Sequence, residues 1–186
     1  MLIEHDREKL LNSIIYFLSN TKFCGKTKLF KLLYYLDFMH FRETGRSVTN
    51  LDYFAWNFGP VPKKLFEEME NPPSDLKESI IIPPKISEKI FVEMKPKKRF
   101  YDKYFTKREL RILEKVAFIF RDAEAEHMVE ASHLPNHPWD KTIKMNGEYE
   151  KIDYTLALDD SEDSLPLEEV IERIKEKKEL KKVFNE

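Results

Sequence analysis

The run LFKLLYYLDFMHF, residues 29–41, is apolar on almost every side when wound as a helix. A surface helix keeps its apolar residues in one stripe, whereas a helix that is hydrophobic all round has to sit inside a core. The spacing predicts a helix capped by Thr27 and running to about Glu43, where Gly45 ends it by supplying a left-handed residue. The rest of the chain has to cover this helix.

The covering elements are mostly helical as well. Leu10, Leu11, Ile14, Ile15 and Leu18 recur on one face of a first helix, Asp6 to Ser19. Thr106 and Glu109 match a capping box, in which each side chain satisfies an end-of-helix amide, and Leu110, Leu113, Ala117 and Phe120 continue the face. A helix from about Ala123 to His133 and a short one opening at Pro138 follow, since proline is tolerated in a first turn. Ser164 and Pro166 open a last helix ending near Phe184, with acids early and bases late as the helix dipole prefers. Ile90, Val92 and Met94 alternate with Phe91 and Glu93, and Ile152, Tyr154, Leu156 and Leu158 alternate in the same way. That period predicts two strands paired antiparallel. The segment NPPSDLKESIIIPPK, 71–85, holds four of the ten prolines and reads as a connector with a short extended piece at Ile80–Ile82. The expected fold class is mainly α: a compact single-domain helical bundle of about six to eight helices with a small antiparallel two-stranded β element. The domain is expected to span 1–186, with a core at about 6–145 and the acidic segment 148–165 and the C-terminal helix 166–184 packed on it.

Composition narrows the function classes. A chain of 186 residues fits one domain, and 41% hydrophobic residues supply the apolar area that offsets chain entropy. Cys24 is the sole cysteine, which excludes an intrachain disulfide and zinc sites built on cysteine pairs. The start MLIEHDREKLL carries Glu4, His5 and Asp6 where a signal peptide needs a basic and then apolar stretch, and no apolar run reaches the ~18 residues of a membrane span. These features predict a cytoplasmic protein with no membrane partner. A net charge of −2 argues against a wholesale nucleic-acid binder. The charge is uneven, however: residues 85–111 hold ten Lys or Arg against four acids, and residues 148–172 hold ten acids against Lys151. The two blocks either face each other or form solvated surfaces.

The stretch AWNFGPVPKKLFEEM, 55–69, concentrates a Trp, two Phe, a Gly and two Pro ahead of a charged helical run. The residue before a proline is pushed out of the helical region, so the chain must turn at Asn57-Phe58-Gly59. Pro60 and Pro62 pre-set a helix in which Leu65, Phe66 and Met69 face inward. One consequence is structural, a helix-start corner wedged by Trp56. The other is a docking surface, because rigid aromatics lose little entropy on binding.

Three blocks in order, Lys28 to Tyr35, Ala55-Trp56 with Gly59-Pro60-Val61, and Ser132-His133 with Pro138-Trp139, resemble the Panacea domain family of SocA-like antitoxins. The resemblance spans about Asp6 to Lys144. It implies an antitoxin that neutralises a cognate protein toxin, encoded next to it in a prokaryote or phage, by direct binding and without catalysis, cofactor or metal. A role as an adaptor that delivers the toxin to a protease belongs to the same resemblance. The positions it marks as motif and candidate toxin interface are Tyr53, Trp56, Asn57, Phe58, Gly59, Pro60, Val61, His133, Pro138 and Trp139. Two departures stand out: Pro135-Asn136-His137 enlarges the loop after His133, and the chain begins too close to its first helix for the DNA-binding module that some relatives carry there.

Other chemistries are weaker. His127, His133 and His137 suggest a metal, yet Pro135 and Pro138 break the helix that would align the last two. Cys24 before a helix start is a nucleophile only if its thiol is activated, and a buried inert thiol is expected. Ser132, His133 and Asp140 have the residue types of a hydrolase triad, but a triad is a geometry that adjacent residues rarely supply; for His133 a buried hydrogen bond is expected. Asp159, Ser161 and Asp163 alternate like a calcium loop without its glycine or distal Glu. Phe100, Tyr101, Tyr104 and Phe105 inside the basic block would serve a nucleic-acid module as stacking groups.

Overall fold

The computed structural model describes residues 5–83 and 93–185. Eight α-helices appear among them, with α2 (Lys26–Thr44) at the centre. Leu29, Leu32, Leu33 and Leu36 are fully buried, as an all-apolar circumference demands. Helix α1 (Asp6–Asn20), α5 (Lys107–Ile119) and α6 (Ala125–Ser132) pack on α2, as do a short hairpin and the segment 154–157. Gly45 ends α2 at φ 70°, and its amide reaches back to the Phe41 carbonyl at 2.7 Å. The start differs from expectation. Gly25 is the N-cap, no side chain caps the end, and Thr27 is exposed inside the first turn.

The capping box of α5 is present: Glu109 N–H donates to Thr106 Oγ1 at 3.2 Å, and Thr106 N–H donates to Glu109 Oε2 at 2.7 Å. Glu109 also accepts from Lys9 of α1 at 2.6 Å, so one carboxylate both caps α5 and ties it to α1. Helix α7 (Pro138–Asn146) starts at Pro138 as expected, and α8 (Leu167–Asn185) closes the described chain. Arg173 of α8 donates to the Thr44 carbonyl at 2.9 Å, while Val170 is fully buried, which fixes α8 against the end of α2.

The β structure lies elsewhere than the alternation suggested. Strand β1 (Tyr53–Trp56) pairs antiparallel with β2 (Gly59–Pro62) in the register Trp56↔Gly59 and Ala55↔Pro60. The other edge of β1 is met by residues 149–152: Ala55 N–H donates to the Glu150 carbonyl at 2.9 Å and Ile152 N–H to the Tyr53 carbonyl at 2.8 Å. Beyond Ile152 the expected strand does not continue. Asp153 accepts from both Thr155 N–H and Thr155 Oγ1 at 2.8 Å, and this local turn winds Tyr154–Ala157 into a 3₁₀ helix. The other expected strand falls partly outside the described residues, at Ile90 and Val92. A second small pair joins β3 (Ile80–Ile81) to β4 (Lys95–Pro96).

Two prolines did not keep 71–85 free of helix. Pro72 and Pro73 stand just before α4 (Ser74–Ser79), where no intrahelical amide is needed. Arg7 of α1 holds this turn through Asp75 at 2.7 and 2.9 Å. Helix α3 (Lys63–Glu70) follows β2 directly, with Leu65 and Met69 buried as expected.

Three charged groups are buried within α2. The Lys28 ammonium donates to the carbonyls of Lys22, Arg121 and Ala123 at 2.7, 3.3 and 2.5 Å, which ties α2 to the turn between α5 and α6. Asp37 accepts from Val48 N–H, Thr49 N–H, Thr49 Oγ1 and Tyr53 OH at 2.8, 2.8, 2.5 and 2.8 Å. Burial pushes its carboxyl up to about 6 against these four donors. The third is Lys31, described below. Ion pairs of the basic block run from Lys98 to Glu78 and from Arg111 to Glu43, and Asp159 of the acidic block pairs with Arg42. In these contacts neither block is the other's partner.

Candidate functional site

Three distant stretches of chain meet at the tip of the β1–β2 hairpin. Gly59 opens β2 at φ +91°, a conformation that L side chains rarely adopt. Space forbids a side chain there as well. A Cβ would lie 2.5 Å from Ser132 Oγ and 2.8 and 2.9 Å from Cε and Nζ of Lys31. Gly59 therefore lets α2, β2 and the end of α6 touch.

Lys31 is the centre of this contact. It is 1% exposed, and its ammonium donates to the Pro60 carbonyl at 3.0 Å. Burial alone pushes it down to about 7 from the usual lysine range. His133, at the end of α6, lies close enough for the Lys31 charge to add to burial in lowering its own titration. Its ring stacks on Trp139 with centroids 3.7 Å apart and planes 14° from parallel. The expected buried hydrogen bond is absent: Nε2 has no partner among the described residues. Trp139 in turn donates its indole N–H to the Trp56 carbonyl at 2.9 Å, joining α7 to β1.

A recess of about 360 Å³ opens beside this cluster. Phe30, Lys31 and Val61 are its buried members, Trp56 and Phe66 its half-buried walls, and Asn57, Phe58 and Tyr149 lie exposed at its rim. Trp56 packs edge-on to Phe66 at 5.0 Å and tilted to Tyr149 at 6.1 Å. Lys26, at the same mouth, is held by Glu70 at 2.6 Å and lies over the Phe66 ring. A wider depression of about 930 Å³, lined by His40, Arg46, Lys107 and Arg173 among others, contains none of the motif positions.

The ten positions marked in the sequence thus divide by exposure. Tyr53, Gly59, Pro60, Val61 and Pro138 are buried, Trp56, His133 and Trp139 are half-buried, and Asn57 and Phe58 are exposed, Phe58 to 75%. Sequence reasoning did not single out Lys31 or Tyr149. A charged residue inside an all-apolar helix was the available signal for Lys31. Tyr149 had none, because it reaches the site from outside the three motif blocks.

The residues suspected of other chemistry do not assemble. His127 Nδ1 accepts from Glu124 N–H at the start of α6, His133 is stacked on Trp139, and His137 precedes α7 as its cap residue. Among the described residues no group of three or more His, Cys, Asp or Glu is placed to hold a metal. Ser132 Oγ donates to the Val129 carbonyl at 2.8 Å, and Asp140 accepts from Asn136 N–H and Lys144, so among the described residues neither makes the bond to His133 that a triad needs. Cys24 is fully buried, and burial pushes its thiol up to about 11. Asp159 is engaged by Ser161 and Arg42. Phe100 packs on Tyr16 and Phe105, leaving Tyr101 as the most exposed of the four proposed stacking groups.

A family model described as antitoxin SocA-like, Panacea domain, matches residues 29–140, from α2 to α7. The chain belongs to the SocA-like antitoxin family. Its Panacea domain match takes in Lys31 and the hairpin, which line the recess, and Ser132-His133 and Pro138-Trp139, which pack behind it at Gly59 and Trp56. No curated protein and no solved structure matches the chain. No described helix of this Panacea protein is long and apolar enough to cross a membrane.

Two stability predictions arise from the Panacea site. Trp139→Phe keeps the stacking on His133 but loses the indole bond to Trp56, and is expected to cost about 0.5–1.5 kcal/mol in urea unfolding. Lys31→Met tests the buried ammonium. Lys31 titrates near 7 when folded and about 10.4 when unfolded, so between these values the unfolded chain binds a proton that the folded chain lacks. The wild-type protein therefore gains stability relative to Lys31→Met as pH rises above 7. The variant's advantage should be largest below pH 7 and narrow by up to about 1.4 kcal/mol per pH unit above it, measured by unfolding in matched buffers.

Proposed function

We propose that this protein is an antitoxin that neutralises a cognate protein toxin by direct binding, and that the hairpin corner around Trp56 and Phe58 is its contact surface. The observation that carries this reading is a small aromatic recess lined by residues of two motif blocks and backed by the third through Ser132 at Gly59 and Trp139 at Trp56, with Phe58 standing 75% exposed at its rim. A large apolar side chain exposed beside half-buried aromatics is the composition of an interface hot spot rather than of ordinary solvated surface. The rigid framework below it lowers the ordering cost of docking. Binding rather than catalysis also fits the failure of Ser132, His133 and Asp140 to align. Residues of the 85–111 or the 148–172 charge block would tune complementarity and encounter rate.

The test is growth of a host that expresses the neighbouring reading frame alone and together with this protein, followed by co-purification of the two. Growth arrest relieved by a stable complex is the expected result. A harmless neighbour, or rescue with no complex, contradicts direct neutralisation. Rescue with a shortened toxin lifetime would assign the protein to protease delivery instead.

A further inference from the structure

When protonated, Lys31 is a buried cation without a counter-charge. Its ammonium has three donors, and one is used, on the Pro60 carbonyl. Among the described residues no carboxylate pairs with it, and burial is the one influence that shifts its titration. The charged and titratable neighbours around the recess do not supply the missing charge. Lys26, on the same helix, is held by Glu70 of α3, and His133 of α6 is an imidazole, not an anion, whose titration is lowered by burial and then by the Lys31 charge. Removing an ion from water without a partner costs several kcal/mol, and a carboxylate arriving in the same low-dielectric space repays much of it.

The surroundings specify the rest of the occupant. Phe30, Val61, Trp56 and Phe66 line the recess with apolar surface, and a volume of about 360 Å³ admits one or two side chains. We propose that the recess receives an acidic side chain next to an apolar one from the partner protein, the carboxylate pairing with Lys31 and the apolar group packing against Trp56 and Phe66. The proposal deepens the binding reading above and rests on it for the identity of the partner as a protein. Charge complementarity carries the choice of occupant: an apolar ligand alone would leave the Lys31 ammonium as unpaired as it is now.

The experiment uses two small probes on the full chain, so its failure is separable from failure of toxin neutralisation. N-acetyl-phenylalanine carries the carboxylate and the apolar ring, and N-acetyl-phenylalanine amide is its neutral twin. Both are titrated at millimolar concentrations while the Trp56 indole and Gly59 amide resonances are followed by NMR. The expected result is saturable shifts with the carboxylate, at least about tenfold tighter than with the amide. Lys31→Met, which keeps an unbranched apolar stem one atom shorter and removes the ammonium, should erase that preference while retaining the wild-type fold. Equal binding of the two probes, no binding of either, or a carboxylate preference that survives Lys31→Met would overturn the proposal. The wild-type comparison stands even if the variant fails to fold.

Discussion

Gly59→Ala is expected to destabilise the protein by about 2–5 kcal/mol, because two independent penalties fall on one methyl group. The first is backbone strain at φ +91°, which an L residue adopts at a cost whatever space surrounds it. The second is overlap with Ser132 Oγ and the end of Lys31 at 2.5–2.9 Å. The Lys31 tip is flexible, but it is fully buried and bonded to Pro60, and Ser132 is bonded to the turn of α6 beneath it. Relief therefore requires α6 or the hairpin to move away from α2. Urea unfolding reads the loss directly, and the Trp56 indole environment should change with it. A Gly59→Ala protein of wild-type stability would mean that the corner is looser than these contacts imply.

Asp37→Ala is expected to be at least as damaging, at about 3–5 kcal/mol. Four donors converge on this carboxylate, two of them main-chain amides at Val48 and Thr49 that cannot turn elsewhere. Its removal leaves these donors buried and unpaired in a site where Asp37 and Tyr53 are 0% exposed. The effect should reach function, since the segment after α2 leads straight into β1 and sets the hairpin's position. Tyr53→Phe removes one donor and keeps the ring, so a milder cost of about 1 kcal/mol is expected. Unfolding of the two single variants and their double shows whether the four bonds act as one network. Additive costs would contradict that picture.

The difference between what the sequence revealed and what it hid follows the range of the interactions. Thr106 and Glu109 are three residues apart and exchange their bonds locally, so the pattern alone located the start of α5. The all-apolar circumference of α2 likewise placed it at the centre. The strand expected at Ile152–Leu158 had the right alternation, but Asp153 bonds Thr155 two residues on and turns the chain before pairing can continue. Conversely, β1 has four residues, too few to announce a period, and its pairing depends on Gly59-Pro60 and on residues 149–152. The corner motif was visible as a group of residues, while its centre was not. Lys31, Ser132 and Gly59 come together only because α2, α6 and β2 pack, and no spacing along the chain encodes that meeting.

The central claim is that the toxin docks at the hairpin corner. The most direct measurement is co-purification and growth rescue with the neighbour-encoded toxin, comparing the wild-type protein with Phe58→Ser/Tyr149→Ser and with Phe118→Ser. Phe58 and Tyr149 are 75% and 57% exposed at the recess, and Phe118 is 81% exposed on α5, so neither variant removes a core contact. The corner variant should keep the wild-type melting temperature and lose both complex and rescue, while Phe118→Ser keeps both. A corner variant that still binds and rescues like the wild type, or a Phe118→Ser protein that alone fails, would place the toxin on another face.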